Sequence, residues 1–96
     1  MDETAFHTLA DSLLAALEES IGPDAELQGG VLTVEQDAGT WVVNKHAPTR
    51  QIWLSSPKSG ARHFAWDGTA WKDTRGGADL LPLLAQELEL PLKWTA

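Results

Sequence analysis

Apolar residues at Phe6, Leu9, Ala10, Leu13, Leu17 and Ile21 recur at steps of three and four, the pattern of a helix with one buried stripe. The spacing predicts a helix over about 2–20, with acids in its first turn at the positive end of the macrodipole and Gly22-Pro23 stopping it. From about 24 to 73 the period changes to two. Short segments rich in Val, Trp, Ile and Thr predict antiparallel strands at about 24–28, 31–36, 40–45, 50–55, 61–66 and 70–73. Gly29-Gly30, Asp37-Ala38-Gly39, Ala47-Pro48-Thr49, Pro57-Lys58-Ser59-Gly60 and Asp67-Gly68 supply the turns of a meander. A second helix is predicted from Asp79 as N-cap through Leu80, Leu81, Leu84 and Leu88, ending before Pro91. Pro82 falls in its first turn, where a missing N–H costs nothing. This order predicts a two-layer α+β sandwich, two helices packed on one face of a five- to six-stranded antiparallel sheet whose other face is open. The 96 residues are expected to form a single domain over 1–96.

Charge changes this picture from a fold to a polarised surface. The net charge is −7, and nine Asp or Glu precede the first basic residue, Lys45; seven basic and five acidic residues follow. One strongly negative face and one near-neutral face are therefore expected, which favours a cation or a basic protein and disfavours nucleic acid. No apolar run approaches the roughly 18 residues of a membrane helix, and the acidic N-terminus is unlike a targeting peptide, so a soluble, untargeted chain is expected. The absence of cysteine removes thiolate metal sites, disulfides and cysteine nucleophiles, leaving carboxylates and imidazole as metal ligands. There is no Gly-rich phosphate loop and no nucleophile elbow.

At 100° per residue, His7, Asp11 and Glu18 share one edge of the first helix, with Glu19 further round and Asp2 and Glu3 at its start. Asp24 and Glu26, two apart in a strand, point to one side and extend the acidic surface. A shallow site for iron and a merely solvated acidic face both fit this spacing; the lack of compensating cations over 44 residues argues for a cation or partner that relieves the repulsion. Without a closed cage, metal binding is expected to be weak and poorly selective. In the strand around Gln51–Ser55, Ile52 and Leu54 define the core side, leaving Gln51, Trp53 and Ser55 on the other. Asn44 and His63 project from the same face, making a polar-aromatic patch that is either a docking surface or a filled cross-strand groove. Trp41 and Trp66 are read as core, and Trp71 and Trp94 as edge cover.

Several stretches resemble the frataxins, including the bacterial CyaY-type proteins. Phe6-His7-x-Leu9-Ala10-Asp11 with Leu13, Glu18 and Glu19 is similar to their first helix. Gly30-Val31-Leu32-Thr33-Val34, Asn44-Lys45, Gln51-Ile52-Trp53-Leu54-Ser55-Ser56-Pro57 and Trp71 with Asp73 resemble their sheet, so nearly the whole chain is covered. The resemblance implies weakly bound ferrous or ferric iron on the acidic ridge, and binding to the cysteine desulfurase and scaffold protein of iron-sulfur cluster assembly. Contacts to that machinery would run through Trp53, Asn44 and Gln51. It implies a regulator or iron chaperone rather than an enzyme, monomeric, working in the bacterial cytoplasm or, for a processed eukaryotic chain, the mitochondrial matrix. Two alternatives stay open: a ferroxidase or iron-storage protein, forming oligomers with iron, and a protein-binding regulator without physiological iron. The sequence departs from the pattern where Ser20-Ile21-Gly22-Pro23 replaces further acids, lowering the expected iron capacity, and at His63, a position often basic in the mitochondrial branch, where the contact would be either weakened or dependent on pH near neutrality.

Overall fold

The computed structural model describes every residue from Met1 to Ala96. The first helix, α1 (Glu3–Ile21), starts where the Asp2 carboxylate accepts the Ala5 amide at 2.7 Å, satisfying one of the orphan N–H groups of the first turn. It ends at Gly22, whose amide still makes the i→i−4 bond to the Glu18 carbonyl and whose positive φ of 86° turns the following chain out of the helix. Its buried stripe is Phe6, Ala10, Leu13, Leu14, Leu17 and Ile21; Leu14 adds to the residues that the spacing named.

Six strands follow: β1 (Ala25–Gln28), β2 (Val31–Gln36), β3 (Gly39–His46), β4 (Gln51–Ser56), β5 (Gly60–Trp66) and β6 (Trp71–Asp73). They pair antiparallel in strict sequence order, a pure meander. A short 3₁₀ turn, Ala47–Thr49, links β3 to β4, and Arg50 closes it in the left-handed region with its amide on the Ala47 carbonyl. At Gly39 the turn is tight for a second reason: a Cβ there would lie 2.7 Å from the Pro57 Cβ, and φ is 138°. The second helix, α2 (Leu80–Leu88), begins at Asp79, which has the extended backbone of an N-cap. Its side chain does not cap the helix as expected. Instead the carboxylate turns to the Lys72 ammonium on β6, tying the last strand to the start of α2.

Both helices lie on one face of the sheet. Leu32, Val34, Trp41, Val43, Ile52, Leu54, Phe64 and Trp71 from the strands meet the α1 stripe and Leu80, Leu84 and Leu88 in one apolar cluster. Trp71 is 2 % exposed, so it belongs to this core rather than to an edge, with its ring edge-on to Phe6 at 6.2 Å. Trp66, read as core from the sequence, is instead only partly buried because it lies at the end of β5; with Trp94 it forms the covering pair, 5.8 Å apart and edge to face, and the Trp94 indole donates to the Ser12 hydroxyl at 3.1 Å to fasten the tail to α1. No helix is long and apolar enough to cross a membrane.

A polar knot sits within this layer. Glu87 of α2 is buried, and one of its carboxylate oxygens accepts from the Trp41 indole at 2.9 Å and the Ser56 hydroxyl at 2.6 Å. The Ser56 oxygen in turn accepts the amides of Lys58 and Ser59, each at 3.0 Å, so one serine fixes both the β4–β5 turn and the helix. Burial alone would raise the Glu87 carboxyl. Hydrogen bonds from Ser56, Ser59 and Trp41 and the nearby Arg62 charge outweigh it and hold the group below the ordinary carboxylate value.

Candidate functional site

The register decides what the open face of the sheet presents. Asn44 lies opposite Trp53, Trp53 opposite His63, and Val42 opposite Ser55, so Asn44, Trp53, Ser55 and His63 share the outer face with Gln51 and His46. Their partners one residue along, Val43, Ile52, Leu54 and Phe64, are buried beneath the helices.

Trp53 is not the bare indole that alternation alone suggests. His46 from β3 and His63 from β5 lie flat against its two faces, with ring centroids 3.6 and 4.2 Å away and interplanar angles of 12° and 7°. The indole N–H donates to the Gln51 side-chain oxygen at 2.9 Å. Three rings from three strands thus stand as one slab, and Trp53 is half-buried although nothing covers its side of the sheet. Stacking of this kind removes apolar ring faces from water while leaving the ring edges outward. His46 was not singled out from the sequence. The signal was available in the alternation, since His46 is two residues from Asn44 on the same strand, but a loop ending the strand at Lys45 hid it.

The acidic residues lie elsewhere, and several already have partners. Asp2 caps α1. Glu3 and His7 stand one turn apart at 3.6 Å. Lys45 reaches from β3 to Asp11 at 2.6 Å, which corrects the expectation of a ridge without compensating cations. Glu18 accepts the Leu27 amide of β1 at 3.2 Å, and the Ala25 amide is taken by the Gly22 carbonyl. Glu19 is exposed. Asp24 and Glu26 join Glu18 and Glu35 around a shallow groove at the β1 edge. No three His, Asp or Glu side chains converge as a set of metal ligands, so the carboxylates form a diffuse negative surface rather than a cage for iron.

Basic character collects at the opposite edge. Arg62 pairs with Asp73 at 2.8 Å and with the Ser59 hydroxyl at 3.1 Å. Asp73 is held below its ordinary value first by the Arg75 amide, which with the Arg62 and Gly76 contacts outweighs burial. Arg62, His63 and Arg75 border a shallow polar groove beside the slab.

Two helices packed on one face of a six-stranded antiparallel sheet make the frataxin fold. The match to the family described as Frataxin-like domain runs over residues 1–93, and the chain belongs to that family. An iron-sulfur cluster assembly protein CyaY from Dechloromonas aromatica is 37% identical, covering 88% of this chain and 87% of that protein. Among solved structures, a frataxin from Psychromonas ingrahamii superposes with a TM-score of 0.81 at 26% identity over the whole of both chains. A trimeric frataxin from Saccharomyces cerevisiae, complexed with ferrous, gives a TM-score of 0.66 at 40% identity, covering 93% of this chain and 84% of that one.

Proposed function

We propose that this protein is an accessory factor of iron-sulfur cluster assembly that docks on the scaffold protein through the open face of the sheet and draws the cysteine desulfurase and iron to its acidic flank. The observation that carries the reading is the His46–Trp53–His63 slab, a rigid aromatic surface with Asn44, Gln51 and Ser55 around it on a face no other element covers. Aromatic anchors ringed by amides are what protein interfaces use for most of their affinity. The name of the Dechloromonas relative supplies the pathway. In this reading the protein works as an adaptor. Its steps are binding and orientation: the slab fixes the scaffold, and the carboxylates of α1, β1 and β2 raise the local concentration of cations and steer a basic partner. Iron is cargo at that flank, exchanging among exposed carboxylates, with Glu3, His7, Asp11, Glu18, Glu19, Asp24 and Glu26 the groups it meets.

Trp53→Ala is the direct test. The substitution is expected to abolish scaffold binding by calorimetry or pull-down while leaving the circular dichroism spectrum and cooperative melt intact; an unchanged affinity refutes the docking role. Sulfide release and cluster formation, followed with and without the protein, give the sign of its effect on the desulfurase.

A second reading, a protein-binding regulator with no physiological iron, is favoured by the scattered donors and by the Lys45–Asp11 pair. Fe(II) titration followed by NMR separates the two. Shifts confined to the α1 and β1 carboxylates support iron as cargo, and their absence leaves the regulator.

A further inference from the structure

The geometry points to His46 as a positioning residue for docking: its imidazole, tethered by Thr49, holds the Trp53 indole in its binding orientation before any partner arrives. The inference rests on the docking reading above and adds a residue and a mechanism to it.

An indole on an uncovered sheet face would ordinarily sample several rotamers, and a partner would have to freeze it. Here that freedom is already gone. His46 is the last residue of β3, opposite Gln51, and therefore diagonal to Trp53; a twisted sheet brings such diagonal neighbours within reach of large rings. Its plane lies 3.6 Å from that of the indole by centroid and only 12° from parallel, closer than the His63 ring on the far side. Gln51 takes the indole N–H, which fixes which edge of the ring faces outward.

His46 itself is fixed by the 3₁₀ turn that follows it. Its Nδ1 lies 2.8 Å from the Thr49 hydroxyl oxygen, and that hydroxyl is directed at the His46 carbonyl at 3.4 Å. With the Thr49 O–H donating to the carbonyl, Nδ1 must be the donor to the hydroxyl oxygen, leaving Nε2 at the outer edge. The turn is held in its turn by Arg50, which sits in the left-handed region and whose guanidinium donates to the Ala47 carbonyl. A chain of contacts thus runs from Arg50 and the turn backbone through Thr49 and His46 to Trp53. Of this turn only Ala47 packs against the apolar core, while the side chains of His46, Thr49, Arg50 and Trp53 lie outside it, so their contacts serve the presentation of the indole.

The test compares His46→Ala, His46→Phe and Thr49→Val with the parent protein. Without any partner, the Trp53 indole N–H resonance, assigned with Trp53→Phe, reports ring mobility through its heteronuclear NOE. His46→Ala is expected to mobilise it and to weaken scaffold binding about threefold to tenfold, the cost of immobilising one side chain on association. His46→Phe restores a stacking face and is expected to recover both readouts, with Thr49→Val in between. Three results overturn the inference: an indole equally ordered in His46→Ala, a mobilised indole with unchanged affinity, or a His46→Phe variant with an ordered indole that still binds as poorly as His46→Ala, which makes the imidazole a direct contact instead. A parent protein that does not bind the scaffold at all overturns the docking reading and the docking role of His46 with it. That failure is distinguishable, because the mobility arm is measured on the protein alone.

Discussion

Replacing Glu87 by alanine removes the acceptor shared by the Trp41 indole and the Ser56 hydroxyl at a buried site: Trp41 is fully buried and Ser56 is 7 % exposed. An orphaned buried donor costs about 1–3 kcal/mol, more where its partner was ionised. The hydroxyl can turn elsewhere and the indole cannot, so the expected loss is about 3 kcal/mol. For a domain of this size that lowers the melting temperature by about 10–25 °C. Glu87→Gln keeps one side-chain oxygen as acceptor and is expected to cost about 1 kcal/mol. A pH arm sharpens the test. The folded-state carboxyl of Glu87 lies below its unfolded value, so its contribution is fully present above the unfolded value and is lost as pH falls through the folded one. Glu87→Gln should therefore flatten the fall in stability on the acid side of the ordinary carboxylate range, leaving the share due to Asp73, which is depressed as well. Thermal melts by circular dichroism between neutral pH and the acid limb are sufficient. The reasoning is refuted if Glu87→Ala melts within about 3 °C of the parent, or if the acid slope of Glu87→Gln is unchanged. Trp41 on β3 and Ser56 on β4 anchor one end of the strand pair that carries Asn44, His46, Gln51 and Trp53 at its other end, so any scaffold binding lost by the alanine variant through unfolding should be regained on cooling.

Two further outcomes are expected. Gly39→Ala meets the Pro57 ring and a φ of 138°, and should cost at least about 2 kcal/mol in urea unfolding; a loss below half of that means Pro57 gives way. Glu18→Gln with Glu19→Gln should weaken desulfurase binding and reduce its salt dependence, measured by calorimetry at two ionic strengths, and a complex insensitive to salt in the parent counts against steering.

The helix boundaries and all six strands were legible because each rests on local pattern: the three-four stripe of α1, strict alternation, and turns at residues that tolerate positive φ. What the sequence hid were contacts between residues far apart in the chain. Nothing local says that Lys45 crosses to Asp11 or that Asp79 leaves the helix it begins to pair with Lys72. Glu87 read as an ordinary helical acid; only the packing of α2 over Trp41 and Ser56 makes it the centre of the polar knot. Trp71 was expected as edge cover, yet α1 brings Phe6 over it. At the candidate site, alternation placed Asn44, Gln51, Trp53, Ser55 and His63 on one face but could not tell an isolated indole from a stacked one, since ring geometry depends on twist and on a turn three residues long.

In the proposed docking reading, the stacked slab resolves a tension between folding and binding. An aromatic side chain that must meet a partner has to stay outside, where it exposes apolar area and gains nothing for the fold. Flanking it with two imidazoles shields both faces, while their polar edges remain compatible with water, so the ring stays ordered without being buried. The acidic groups are arranged by a different logic. Those nearest the fold are engaged as cap, ion pair and edge acceptor, and Glu19, Asp24, Glu26 and Glu35 remain free around the first helix and the β1 edge. The charged flank, on α1 and the β1 edge, and the aromatic face, on the open side of the sheet, therefore occupy separate parts of one fold. In the docking reading proposed above, two partners of different chemistry meet separate surfaces of the protein, and the fold sets the distance between them.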